Sequence, residues 1–262
     1  MPPTRTSLLT ATALTAVLAA CGSSSTGPAA TSQGATSALS GSITVFAAAS
    51  LTGSFTSLGK QFETAHPGTT VSFSFGASST LSQQITSGAP ADVFASASTK
   101  NMTDVVTAGD AVDPKTFATN VAAIAVAPAS AGKVMSLADL AKPGVKVALC
   151  QPEVPCGALA QKVLGNAKVA VSPVTQGLDV KAVLATVKSG EVDAGIVYVT
   201  DVQAAGSSVV GVNIPADVNA STAYPIAIVK TSKNTQLGQA FEDYVLSAEG
   251  RAVLGKAGFA RP

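Results

Sequence analysis

The run from Ile43 to Leu51, I-T-V-F-A-A-A-S-L, constrains the fold more than any other segment. Its apolar stretch reads as a buried strand, and it stops on Ser50, which opens a helix. Such a junction aims a hydroxyl and unpaired backbone N–H groups at one point beyond the strand. Orphan N–H groups and the positive end of a helix dipole together make an anion site. A second serine junction follows at Phe73–Ser74–Phe75–Gly76–Ala77–Ser78–Ser79–Thr80–Leu81. One serine at a helix start is an ordinary N-cap. Two of them at the carboxyl ends of adjacent strands, where open α/β sheets place ligands, favour an oxyanion held by neutral dipoles.

Apolar strands alternate with amphipathic helices along the rest of the chain. Strand Ile43–Ala47 leads to a helix with Leu51, Phe55, Leu58 and Phe62 on one face, stopped before Pro67. Strand Thr70–Phe75 leads to a short helix carrying Leu81 and Ile85, and strand Asp92–Ala95 to a helix around Asn101–Thr107. A second set begins with the near-continuous apolar run Val121–Ala127. Ser136–Leu137–Ala138–Asp139 has the spacing of a capping box. Strand Lys146–Cys150, helix Gly157–Leu164, helix Val180–Val187 and strands Ala194–Val199, Val209–Asn213 and Tyr224–Val229 follow. The last helices put Leu237, Phe241, Tyr244 and Val245 on one face. This βαβ rhythm predicts a mainly parallel, doubly covered sheet. Periodicity alone leaves one large sheet or two lobes open; length and the number of junctions favour two.

The chain has 262 residues, 47% hydrophobic and 12% charged, enough for one large core or two modest ones. Sixteen basic against fifteen acidic residues leave +1, with no basic run, so nucleic acid is a poor partner. Trp is absent and aromatics are 5%, which argues against stacking platforms for bases or sugars. Arg5 precedes the apolar run Leu8–Ala20, too short to span a bilayer as a mature helix. Leu18–Ala19–Ala20–Cys21 resembles the lipobox of bacterial lipoproteins, which implies cleavage before Cys21 and acylation of its thiol. Residues 1–20 then form a signal peptide and 21–41 a lipidated cysteine with a Ser/Gly/Thr/Ala tether. The protein is expected outside the cytoplasm, anchored by lipid to the cell membrane.

Cys150 and Cys156 remain. In an oxidising compartment, so close a pair reads as a disulfide, stabilising by about 2 kcal/mol on the chain-entropy model. The alternative is a reactive Cys156, but a thiolate nucleophile usually needs a partner base, and His66 is the one histidine. That histidine, before Pro67, reads as a surface group or a helix C-terminal dipole partner. A secreted enzyme using Cys156 or Ser50 as nucleophile finds no H-x-x-x-H, G-x-S-x-G or P-loop pattern to support it. A binding protein, not an enzyme, is expected.

Further junctions could add donors. Gln151–Pro152–Glu153–Val154–Pro155–Cys156–Gly157–Ala158 is a strand-to-helix turn in which Cys156 or Gly157 can offer N–H groups. Asp179–Val180 starts another helix, and Tyr198 ends the strand Gly195–Ile196–Val197. A phenol there either finds a structural partner or donates to a ligand. A fully deprotonated dianion offers only acceptors, so a pocket of donors suits it. A protonated phosphate brings an O–H that, left unpaired, costs about 1–3 kcal/mol. Asp92 and Asp179 are the nearby carboxylates, each better read as a strand end or helix cap.

I-T-V-F-A-A-A-S-L, F-G-A-S-S-T-L-S-Q-Q-I-T-S-G-A-P-A-D-V-F, G-I-V-Y and the stretch from Glu249–Gly250–Arg251 to Gly258–Phe259 resemble the substrate-binding proteins of bacterial molybdate ABC transporters. The resemblance covers about Ser42 to Pro262. It implies an α/β, two-lobed type II periplasmic-binding fold whose lobes close on a tetrahedral oxyanion, molybdate or tungstate. Sulfate or another oxyanion is the rival ligand. Ser50 and Ser78 match the family's two serines and Tyr198 its tyrosine, while Val180 matches a backbone donor. Cys156 stands where the family commonly has alanine, also as a backbone donor. These five would contact the oxyanion rather than ligate a metal, and no cofactor is implied. Lobe one would comprise residues 42–120 plus 223–262, and lobe two 121–222. The expected partner is a membrane permease with a separate ATPase, served by a monomeric receptor.

Overall fold

The computed structural model describes residues 39–262. The expected signal segment, Cys21 and most of the tether lie outside the described residues. The chain begins with β1 (Gly41–Ala48), α1 (Thr52–Ala65), β2 (Thr69–Gly76), α2 (Ser78–Thr86), β3 (Val93–Ala95) and α3 (Thr99–Thr107). It continues through β4 (Ala111–Val126), β5 (Val147–Cys150), α4 (Pro155–Ala167), β6 (Thr175–Gly177), α5 (Val180–Lys188), β7 (Ala194–Tyr198) and α6 (Val199–Ala205). Last come β8 (Val210–Asn213), β9 (Ser221–Val229), α7 (Thr235–Leu246) and α8 (Ala248–Lys256). The α/β alternation follows the expected order. Gly41, the last residue assigned to the tether, already pairs with Thr69 in β1.

The strands run in the order β2-β1-β3-β9-β4-β7-β5-β6, with β8 also pairing β4. β1 is parallel to β2 and β3, and β5 is parallel to β6 and β7. Between these parallel triplets lie the antiparallel strands β9 and β4. The continuous apolar run of β1 follows from burial on both faces: Val45 and Ala47 join one core with Phe55, Leu58, Phe62 and Phe241, while Phe46 joins another with Leu81, Ile85, Phe94 and Met102. A third core gathers β5 and β7 with α4 and α5, including Val147, Leu159, Val163, Val183 and Ile196. Phe241 of α7 meets Phe62 and Phe55 edge-on at ring-centre distances of 5.5 and 6.1 Å. The helix-face readings for α1 and α7 therefore correspond to real cores, with Tyr244 half-buried at the margin.

Two strands depart from expectation. β4 begins at Ala111, ten residues before the apolar run, and its first half pairs with β9. Register shifts at Val112/Lys115 and Thr116/Ala118 break the alternation there, so bulges hide the strand from a period-two pattern. β6 is the polar triplet Thr175–Gly177, placed only by its pairing with β5. The Ser136–Asp139 box opens a 3-10 turn (Ala138–Ala141), and Asp139 accepts from the Met135 N–H and the Ser136 hydroxyl, each at 2.9 Å. His66 caps α1 with its ring 4.5 Å from that of Phe62.

Asp193 ties the loop before β7 to two others, accepting from Ser130 Oγ at 2.6 Å and from Lys133 Nζ and the Lys146 N–H at 2.7 Å. Burial pushes its carboxyl up, but these donors and the Lys133 charge outweigh it and hold it at about 2, below the usual 3.8. A depressed folded pKa means stability present above about pH 4 and lost as pH falls toward 2. Thermal midpoints of wild type and Asp193→Asn are expected to differ most near neutrality and to converge at about pH 2. A gap that does not change with pH would remove the ion-paired carboxylate as its cause.

Candidate functional site

Six chain segments meet around a small cavity of about 10 Å³, lined by Ala48–Ser50, Gly76–Ser78, Ala97, Val154–Cys156, Asp179–Val180 and Tyr198. That is room for about one water molecule, far below the roughly 300–1,000 Å³ sites that take drug-sized ligands, so only a very small solute suits it. All five residues expected to contact an anion, Ser50, Ser78, Cys156, Val180 and Tyr198, lie in its wall. None of the described residues lining it is Lys or Arg. Among the described residues, no group of three or more His, Cys, Asp and Glu side chains could hold a metal ion. No described helix is long and apolar enough to cross a membrane.

Each junction reaches the cavity for a local reason. Ser78 is the first residue of α2, and Ala77 before it makes no side-chain cap. Instead Ser78 Oγ accepts the Ala97 N–H at 2.9 Å, which leaves its own hydrogen to donate. Ser50 sits in the 3-10 turn Ala49–Leu51 between β1 and α1, and its Oγ lies 2.9 Å from the Tyr224 hydroxyl. Neither serine is spent on the helix end, so the capping explanation does not apply to them. Pro155 opens α4, and the Gly157 N–H goes to the Val154 carbonyl at 3.0 Å. Cys156 is the second residue of α4. Its side chain is bonded to Cys150, with the Cα atoms 5.7 Å apart, so a free Cys156 nucleophile is not what the structure holds.

Val180 begins α5, capped by Asp179, whose Oδ1 accepts the Ala182 N–H at 2.9 Å. Asp179 lines the cavity but serves as a helix cap. Asp92 lies elsewhere, accepting from the Thr44 N–H at 2.8 Å and from Ser232 Oγ at 2.6 Å. The starts of α2, α4 and α5 thus share one cavity, and their dipoles add a positive field without a cation.

Tyr198 is 1% exposed, and its hydroxyl has no hydrogen-bond partner among the described residues although it is fully buried. Burial, the Tyr224 hydroxyl and the Asp201 carboxylate push its ionisation well above the usual 10, so it remains a neutral donor. Buried polar groups are nearly always paired, and an unpaired donor in a cavity wall is explained by a ligand that accepts. Sequence reading missed the residues behind it. Asp201 is fully buried, accepts the Tyr198 N–H at 3.2 Å and pairs with Lys181 Nζ at 2.7 Å. Burial raises its pKa and the Lys181 charge opposes that rise. The pair locks the start of α6 to the start of α5. Asp201 was detectable as an acid three residues after Tyr198, the spacing of a capping box; Lys181 and Tyr224 carry no local signal.

Residues 43–260 match the family model described as bacterial extracellular solute-binding protein. The chain is 42% identical to the molybdate-binding protein ModA of Mycobacterium tuberculosis over 252 residues, 95% of each chain. It is 36% identical to the ModA protein of Escherichia coli over 231 residues, 84% of this chain and 89% of that one. Its fold superposes on the periplasmic molybdate-binding protein of Azotobacter vinelandii with a TM-score of 0.75 at 22% identity, covering 84% and 99% of the two chains. The sulfate-binding protein SubI of Mycobacterium tuberculosis superposes with 0.73 at 19% identity, covering 84% and 86%; at these identities the two structures speak for the fold alone. The two-lobed α/β fold is therefore common to this group. The chain belongs to the bacterial extracellular solute-binding protein family.

Proposed function

We propose that this protein is an extracytoplasmic receptor that captures molybdate, and tungstate with it, and delivers it to the membrane permease of an ABC transporter. The observation that carries this reading is the buried, unpartnered Tyr198 hydroxyl of a cavity walled by helix starts and serines. Ser50 and Ser78 donate through their hydroxyls, Cys156 and Val180 through backbone N–H groups, and Tyr198 through its phenol. A dianion offers acceptors to all of them, and neutral donors suffice once water is excluded. Residues 42–120 with 223–262 form one lobe and 121–222 the other, closing on the anion by a hinge through β4 and β9. The receptor acts as a monomer held to the membrane by a lipid on Cys21, and its ATPase is a separate chain. It performs no chemistry on its ligand.

Calorimetry with molybdate, tungstate, sulfate and phosphate tests the reading. Molybdate and tungstate are expected to bind tightly, sulfate more weakly and phosphate least; tighter sulfate than molybdate binding would overturn the choice of ligand. Ser78→Ala removes a hydrogen bond to a charged group, a loss of about 2 kcal/mol or roughly thirtyfold in affinity. Its fold should survive, since the hydroxyl caps no helix. Wild-type affinity in Ser78→Ala would take the serine out of the site.

A further inference from the structure

Tyr224 and Thr222 stand two residues apart on β9, and side chains two apart share a strand face. The Tyr224 hydroxyl lies 2.9 Å from Ser50 Oγ. The Thr222 hydroxyl donates to the Ala97 carbonyl at 2.7 Å, and the Ala97 N–H in turn donates to Ser78 Oγ at 2.9 Å. One strand face therefore reaches both serines, one directly and one through a single residue. We infer that Tyr224 and Thr222 are positioning residues that turn the Ser50 and Ser78 hydroxyls outward as donors to the bound anion. The inference rests on the proposed oxyanion site and explains how its two hydroxyls are aimed.

A serine hydroxyl has a single hydrogen, and an acceptor-only ligand can use it only if no neighbouring acceptor takes it. For Ser78 the matter is settled by the backbone, because the Ala97 N–H can only donate. For Ser50 the partner is a phenol, which is both donor and acceptor. A phenol is the more acidic of the two groups and so the better donor, and the serine oxygen is the better acceptor. The favoured direction is Tyr224 O–H to Ser50 Oγ, which leaves the Ser50 hydrogen free and polarised toward the cavity. Tyr224 is fully buried and held by ring contacts with Phe259, Phe117 and Tyr198 at 5.3, 6.1 and 6.2 Å. Its hydroxyl thus has a fixed address.

The test is a pair of double-mutant cycles read by molybdate calorimetry, with thermal midpoints measured in parallel. Tyr224→Phe keeps the ring and is expected to weaken binding by about three- to tenfold, while in a Ser50→Ala background it changes binding by less than about twofold. Thr222→Val with Ser78→Ala is expected to show the same dependence with a smaller single effect. A purely structural role would lower the midpoint and weaken binding equally with or without the serine. Additive losses in either cycle overturn the assignment for that position, as does a Tyr224→Phe protein that binds like wild type. Full affinity in Ser50→Ala itself would overturn the site reading along with the wiring, so the two failures are distinct.

Discussion

Tyr198→Phe is expected to make the ligand-free protein more stable and the receptor about ten- to hundredfold weaker for molybdate. The two effects have one cause. In the structure the phenol oxygen is buried without a partner among the described residues, and a buried unsatisfied polar group costs about 1–3 kcal/mol. Phenylalanine keeps the ring and its edge contact with Tyr224 at 6.2 Å, and it removes the desolvated oxygen, so a gain of about 1 kcal/mol is expected. With the anion bound, the same oxygen would make a hydrogen bond to a charged acceptor, worth about 1.5–3 kcal/mol. Thermal melts without ligand and calorimetry with molybdate measure the two halves separately. A destabilised protein with unchanged affinity would mean that the hydroxyl serves the core and not the ligand.

The second large effect concerns Gly157. A Cβ there would stand 1.8 Å from the Gln151 carbonyl oxygen and 3.0 Å from that of Cys150. Backbone on both sides must move, because no flexible side chain is available to yield. The segment that moves is the turn closed by the Cys150–Cys156 disulfide, whose Cys156 lines the cavity. Gly157→Ala is therefore expected to destabilise the protein by about 3 kcal/mol and to abolish most molybdate binding in whatever fraction still folds. Thermal denaturation and calorimetry check both outcomes. Wild-type stability and affinity would show that the turn tolerates a displaced backbone, and that Cys156 is not a precisely placed donor.

Together these substitutions separate two ways of building an anion site. On the proposed reading Tyr198 would contribute a buried hydroxyl donor, whereas Gly157 leaves the space in which the Cys150–Cys156 turn comes close. Charge takes little part. Lys181 approaches the region but is paired with Asp201 at 2.7 Å, so its ammonium is neutralised behind the wall. A donor set without free cations favours an anion that carries no proton of its own, since the one carboxylate in the lining, Asp179, serves as a helix cap.

Much of this was readable from local pattern. The buried run of β1, the faces of α1 and α7 and the serine, cysteine, valine and tyrosine junctions each occupy a few consecutive residues. Sterics and periodicity act over that range, so residue order alone specifies them. The disulfide belongs with them, because its cysteines are six residues apart. The arrangement behind the site does not. Tyr224 meets Ser50 across 174 residues, Thr222 meets Ala97 across 125, and the first half of β4 exists as a strand because β9 lies beside it. Hydrogen-bond direction and strand register depend on which distant segments become neighbours, and only packing of the whole chain specifies that.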